Sequence, residues 1–246
     1  MRRTEEGAQT FYEDAHRLWW PSDFDSRAQV RDRVRRSVHI IKSTSPSVMA
    51  ELGFEDPAQS AYIASLLPKT EYHLVDIDRE RVQLAQNKGF SAEVCDLGTQ
   101  RLSFKSDSLD LIYMAEVIEH IYNTDHALKE IFRVLKTGGH LILTTPNLSA
   151  WYNRVLLFVG IQPIGTEVST EFIFGRKFRS LGQNNRPVGH IRVFTKWSLI
   201  DFLTYHGFKI LSIEGYSDTR VPFDRIFARF PSIASGFVVH CIKPRK

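Results

Sequence analysis

The residues with the most chemical promise stand together in AEVIEHI, where Glu116, Glu119 and His120 occupy positions i, i+3 and i+4. If a helical turn begins there, all three share one face. Two carboxylates and an imidazole are costly to bury together unless they bind something, so the spacing points to proton transfer or to a ligand gripped by oxygen and nitrogen donors. A second set is acidic and lies upstream. Asp76 stands 23 positions beyond Gly53, the separation at which a strand-end carboxylate accepts hydrogen bonds from ribose hydroxyls. Asp78 follows, and in Cys95-Asp96-Leu97 the carboxylate suits a surface turn or an adenine amino group equally well. A nucleotide site normally adds several glycines so that backbone can approach the ligand. The loop ELGFEDP keeps only Gly53, and taken alone it reads as a plain strand-to-helix turn.

Those groups need strands that end beside them. After residue 47, short β-rich runs at 47–52, 71–77, 91–94, 109–114 and 140–145 alternate with helical patterns at 59–67, 79–87 and 125–135. Asp125 is the expected N-cap of the last helix and Gly138-Gly139 its stop. This is the pattern of βαβ units and a parallel sheet, in which ligands lie beyond the carboxyl ends of the strands. Residues 11–42 read as an N-terminal helical cover, with Phe11, Tyr12, Trp19 and Trp20 expected in core packing. Residues 148–190 are too long and too aromatic for a connecting loop and are expected to form a substrate lid. A helix at 197–205 and strands at 209–216 and 236–242 close the chain.

With 246 residues, 43% hydrophobic and 24% charged, global disorder is excluded and one domain is expected. Its parts are a cover (1–46), a cofactor-binding core (47–147), a lid (148–190) and a C-terminal helix with strands (191–246). Cys95 and Cys241 lack CxxC spacing, which argues against a disulfide framework or structural zinc and suggests a cytoplasmic setting. The longest apolar run, 155–161, is too short to span a bilayer, and no targeting segment is expected. The net charge of +4 is dispersed. Arg31, Arg33, Arg35 and Arg36 read as a solvated helix face. Arg176, Lys177 and Arg179, interleaved with aromatics, suggest an anionic acceptor and lend only weak support to nucleic acid.

VDID, LDLIYMAEVIEHI and LKEIFRVLKTGGHLILTTPN, within 47–147, resemble the class I S-adenosylmethionine-dependent methyltransferases of the ubiquinone-biosynthesis type. GHIRVFTKWSLIDFLTYHGF, at 189–208, extends the likeness. The resemblance implies an α/β, doubly wound, Rossmann-like seven-stranded sheet whose last strand is antiparallel, with S-adenosylmethionine across the strand ends. Glu51 and Gly53 would border its methionine end, Asp76 with Ile77 the ribose, Asp96 with Leu97 the adenine, and Glu116 the sulfonium. Glu55 and Pro57 depart from the family by standing where it has glycine, with Glu55 adding negative charge near the cofactor's carboxylate.

His120 is the first candidate base and His190 the second. Glu116, Glu119, His120 and His190 also resemble the set that holds a divalent cation in small-RNA terminal 2′-O-methyltransferases. That makes Mg²⁺ or Mn²⁺ a candidate cofactor; the competing reading is that these side chains shape the pocket and pair with each other. The expected acceptor is a small molecule bearing a hydroxyl, then a lipid-linked or glycan intermediate, then an RNA end. The alternative to an enzyme is a non-catalytic interaction module with a degraded glycine loop. A nicotinamide-dependent oxidoreductase is disfavoured, since GxGxxG is missing.

Overall fold

A computed structural model of the chain describes residues 31–218 and 224–245. The aromatic residues expected to open the N-terminal cover lie outside them, and the cover's described part is helix α1, Asp32–Thr44. The remaining helices are α2 (Pro57–Ser65), α3 (Arg79–Asn87), α4 (Thr124–Val134), α5 (Trp151–Phe158), α6 (Lys196–Tyr205) and the single turn α7 (Asp224–Phe227). The strands are β1 (Val48–Leu52), β2 (Glu71–Asp76), β3 (Ser91–Val94), β4 (Leu109–Ala115), β5 (Leu135–Pro146), β6 (Lys209–Tyr216) and β7 (Gly236–Ile242).

These strands form one sheet of order β3-β2-β1-β4-β5-β7-β6. The first five run parallel, and β7 pairs antiparallel with both β5 and β6. Strands β1 and β4 are near-continuous apolar runs because both faces of the sheet are covered. One layer packs Leu128, Ile131, Leu199 and Leu203 of α4 and α6 against Ala50, Leu52, Ile112 and Leu143. The opposite layer packs Ile41, Ile63 and Val82 of α1, α2 and α3 against Met49, Leu74, Leu111 and Ile142. Successive strand residues thus serve opposite cores. The order reverses between β1 and β4, the switch point where doubly wound sheets hold ligands.

Three local expectations are corrected. Helix α4 is capped by Asn123, whose side chain accepts from the His126 N–H at 3.1 Å, and not by Asp125, which bonds His206 instead. Gly138-Gly139 does not stop a helix, because α4 passes directly into β5 and the glycines lie within that strand. A Cβ on Gly139 would stand 2.8 Å from the Lys136 carbonyl, so close backbone approach demands glycine there. Helix α2 starts two residues earlier than its apolar spacing suggests, because Asp56 caps it and Pro57 takes the first helical position.

The lid contains α5 and a 3₁₀ turn at Arg179–Leu181. Arg176 is buried inside it, donating to the carbonyls of Leu181 at 3.1 Å and Thr166 at 3.4 Å. It is a clamp on the lid's own backbone, which removes it from the anion-facing set expected from the sequence. Among the described residues, no helix is long and apolar enough to cross a membrane.

Asn123→Ala should remove about 1 kcal/mol of stability and lower the melting temperature by roughly 2–4 °C for a chain of this size. Asp125→Ala should shift it less. Thermal denaturation followed by circular dichroism checks both.

Candidate functional site

At the carboxyl end of β1 the chain leaves through Gly53 at φ +71, and a Cβ there would collide with the Val117 side chain. Both conformation and contact require glycine. Phe54 then turns its ring into the core while its N–H donates to Asp76 Oδ2 at 3.0 Å. The Asp78 N–H donates to Asp76 Oδ1 at 2.8 Å, and the Arg81 guanidinium lies 3.7 Å away. Asp76 therefore ties the ends of β1 and β2 together. Burial raises its pKa, against the opposing pull of Arg81 and the two N–H groups.

Glu55, the departure noted in the sequence, faces α1, where it pairs with Arg33 at 3.1 Å and Arg31 at 3.3 Å. This corrects the solvated-face reading of the arginines. Arg35 and Arg36 do pair with Asp32 near solvent, but Arg33 is only 5% exposed. Burial opposes its charge, yet Glu116, Glu55, Tyr216 and Asp218 together raise its pKa.

Glu51 is buried between β1 and α2, accepting from the Tyr72 hydroxyl at 2.5 Å and Ser60 Oγ at 2.7 Å. Burial pushes its pKa up to about 7, and those hydrogen bonds only partly offset it. Asp96 accepts from the Gly98 N–H at 2.8 Å and Thr99 Oγ1 at 2.7 Å, which gives it the turn role that the sequence left open. Ile77 is half-buried beside Asp76, and Leu97 is buried against the core.

At the end of β4, Glu116 adopts φ +56, a left-handed conformation that favours glycine. Its carboxylate accepts from Thr144 Oγ1 at 2.7 Å and from the Tyr216 hydroxyl at 2.9 Å. A 3₁₀ turn, Ile118–His120, follows. Glu119 is buried: its Oε2 accepts from Thr145 Oγ1 at 3.0 Å, and its Oε1 has no hydrogen-bond partner among the described residues. Burial, and then the negative charge of Glu116, raise its pKa well above the usual carboxylate range.

The His120 and His190 rings lie 4.8 Å apart. Their Nδ1 atoms bond the carbonyls of Gly189 at 3.1 Å and Gly165 at 3.0 Å. A carbonyl can only accept, so each Nδ1 carries a proton, and in a neutral ring Nε2 is then the nitrogen with the lone pair. Burial and the neighbouring His190 push the pKa of His120 down to about 3.

Potential ligand atoms of Glu119, His120 and His190 lie within 4.8 Å of one another. Three of the four residues singled out in the sequence thus converge. Glu116 stands apart because its left-handed backbone precedes a 3₁₀ turn, which breaks the α-helical i, i+3, i+4 geometry. Sequence reading missed Arg33, Thr144, Thr145 and Tyr216. The threonines and Tyr216 stand at strand ends and could have been found there; Arg33 carried no local signal.

This strand order, its switch point and a buried acid closing β2 define the class I S-adenosylmethionine-dependent methyltransferase fold. Residues 51–143 match the family model described as "Methyltransferase domain". It is 38% identical over 80 residues to a demethylmenaquinone methyltransferase of Bacteroides fragilis, covering 30% of this chain and 31% of the relative. It is 28% identical over 125 residues to the rat mitochondrial ubiquinone biosynthesis O-methyltransferase, covering 45% of this chain and 36% of the relative. The chain therefore spans about a third of the length of these curated relatives. Among solved structures, an S-adenosylmethionine-dependent methyltransferase of Thermotoga maritima, described as a possible histamine N-methyltransferase, superposes with a TM-score of 0.57 at 16% identity, covering 96% of this chain and 99% of that one.

Because Glu51 titrates at about 7 when folded, against an ordinary 4.5, it binds more protons in the folded state across that window. Stability should fall as pH rises from about 4.5 to about 7 and then level. Glu51→Gln should flatten this slope in urea unfolding measured across the window, whereas an unchanged slope would assign the dependence elsewhere.

Proposed function

We propose that this protein transfers a methyl group from S-adenosylmethionine to an oxygen of a small or lipid- or glycan-linked acceptor. The observation that carries the reading is the Glu119–His120–His190 cluster at the carboxyl ends of β4 and β5, beside the switch point. The site also suits the cofactor chemically. Its strand ends present carboxylates to a molecule rich in O–H and N–H donors and bearing a cationic sulfonium. Asp76 with Ile77 would receive the ribose and Leu97 would flank the adenine, with Asp96 at its edge. Glu51 lies behind Gly53, which lets backbone approach. Glu116, fixed by Thr144 and Tyr216, would place negative charge near the sulfonium. When bound, the cofactor supplies an electrophilic methyl.

The chain's own task is to align the acceptor and take its proton. His120, with a pKa near 3, is a poor base at neutral pH. His190 takes that role in this reading: its ring stands 4.8 Å from that of His120 and is held by an Nδ1–H bond to the Gly165 carbonyl. The cluster also suits a divalent cation. Glu119 Oε1 is buried without a hydrogen-bond partner among the described residues, and both imidazoles are oriented through Nδ1–H bonds to carbonyls, as in known metal sites. Mixed oxygen and nitrogen donors suit Mn²⁺ at least as well as Mg²⁺. Such a cation would lower the pKa of an acceptor hydroxyl. The relatives named for demethylmenaquinone and ubiquinone biosynthesis favour a lipid-linked acceptor over an RNA end.

A non-catalytic role is the second reading, favoured by Val117 lying against Gly53 and by Glu55 locked to Arg33. Calorimetric titration with S-adenosylhomocysteine separates the two. Micromolar binding, lost in a folded Asp76→Asn variant, is the expected result; no binding at millimolar ligand would move the assignment to the non-catalytic reading. Mn²⁺ should bind more tightly as pH rises, because it displaces the Glu119 proton. Glu119→Gln and His190→Ala should each abolish that binding.

A further inference from the structure

The lid's outer surface is the part of the molecule that the methyl-transfer reading leaves unused. Eleven of the twenty exposed large hydrophobic side chains among the described residues fall between Val155 and Ile191. Phe158 is 92% exposed at the end of α5, and Phe172, Phe174 and Phe178 are exposed on the loop beyond. The two tips are adjacent. The Gln162 N–H donates to the Gly175 carbonyl at 2.9 Å, and the Phe172 and Phe174 rings meet edge to face at 6.5 Å. Ile173 between them is buried, and the Ile173 N–H donates to the Asn185 carbonyl, which fixes its neighbours outward.

The charge of this segment is one-sided. Residues 151–192 carry six Lys or Arg against two Glu. Glu167 is committed to the backbone N–H groups of Val188 and Gly189 at 2.7 and 2.8 Å, and Arg176 to the internal clamp. Lys177, Arg179 and Arg186 are exposed alongside the phenylalanines. Isolated exposed apolar residues are ordinary, but a cluster rimmed by one sign of charge marks an interaction surface. Exposed phenylalanines with lysine and arginine and almost no acid match a bilayer carrying anionic headgroups: rings enter the acyl boundary while basic side chains reach the phosphates. A folded protein partner would instead call for a closed apolar patch with a polar rim of mixed sign.

We propose that the lid tip, residues 155–159 and 172–179, docks the protein on an anionic membrane surface. The inference stands apart from the catalytic reading, since it uses none of the site's residues and its test involves no cofactor. It also gives the lid a second purpose, because the same segment holds His190 through Glu167 and Gly165.

The test is co-sedimentation of the full chain with phosphatidylcholine vesicles, with and without phosphatidylglycerol. Binding to the phosphatidylglycerol vesicles, weakened in about 0.5 M salt, is the expected result. Lys177→Ser with Arg179→Ser should weaken it on the order of 25-fold, at about fivefold per basic residue. Phe158→Ser with Phe174→Ser should weaken it as well, in both cases with the melting temperature of the parent. Equal sedimentation with and without anionic lipid, or variants that bind like the parent, would overturn the proposal. So would a chain that ignores vesicles but binds polyuridylate, or one that self-associates in velocity sedimentation until Phe158 is replaced.

Discussion

Burying carboxylates at the ends of strands is the constraint around which this molecule is organised. An uncompensated buried carboxylate costs several kcal/mol, so each must be met by donors from elements far apart in sequence. Asp76 draws the β1 loop onto β2 through the Phe54 N–H. Glu51 fixes α2 to the sheet through Ser60 and Tyr72. Asp224 accepts from Trp151 Nε1, Ser217 Oγ and Ser235 Oγ, joining the start of the lid helix to the ends of β6 and β7. Glu116 binds β5 and β6 through Thr144 and Tyr216. Glu119 is met only in part, since Thr145 satisfies one oxygen and the other has no hydrogen-bond partner among the described residues. Glu93 Oε1 shares that condition among the described residues, but the Glu119 carboxylate stands in one cluster with His120 and His190, which is what makes its missing partner call for an explanation.

The lid and the site form one unit for a related reason. The Glu119 carbonyl accepts from the N–H groups of Ile191 and Arg192, pinning the segment that carries His190 to the end of β4. On the other side, Glu167 accepts from the His190 N–H at 3.2 Å and Gly165 fixes its ring. Any displacement of the lid must therefore displace His190.

Much of the sheet was legible because buried parallel strands read as continuous apolar runs, and β3, β6 and β7 have the bounds their residues suggest. The boundaries that failed turn on choices between near-equals. Asn123 and Asp125 are both good caps, and a glycine pair can end a helix or admit a close carbonyl inside a strand. In the site, residue types were legible but not their geometry. The shared face of Glu116, Glu119 and His120 presumed α-helical spacing, and a single left-handed residue ahead of a 3₁₀ turn turned Glu116 towards Thr144 and Tyr216. The Arg33–Glu55 pair was hidden because its partners lie 22 positions apart, on elements that meet only in the folded chain.

The two histidines of the cluster are held in the same way. Both donate Nδ1–H to a carbonyl, and desolvation with the neighbouring His190 pushes the pKa of His120 down to about 3. A nitrogen that refuses a proton at neutral pH is well suited to hold a cation and badly suited to act as a base. His190 stands at the lid's edge, so in the proposed reaction, whether it takes the acceptor's proton or shares a cation that acidifies the hydroxyl, the reacting oxygen would come to where the lid meets the ends of β4 and β5. The outer surface of that same lid is apolar and basic. An acceptor held in an anionic bilayer would then enter from the side on which the protein docks, and recognition of the surface would precede recognition of the molecule.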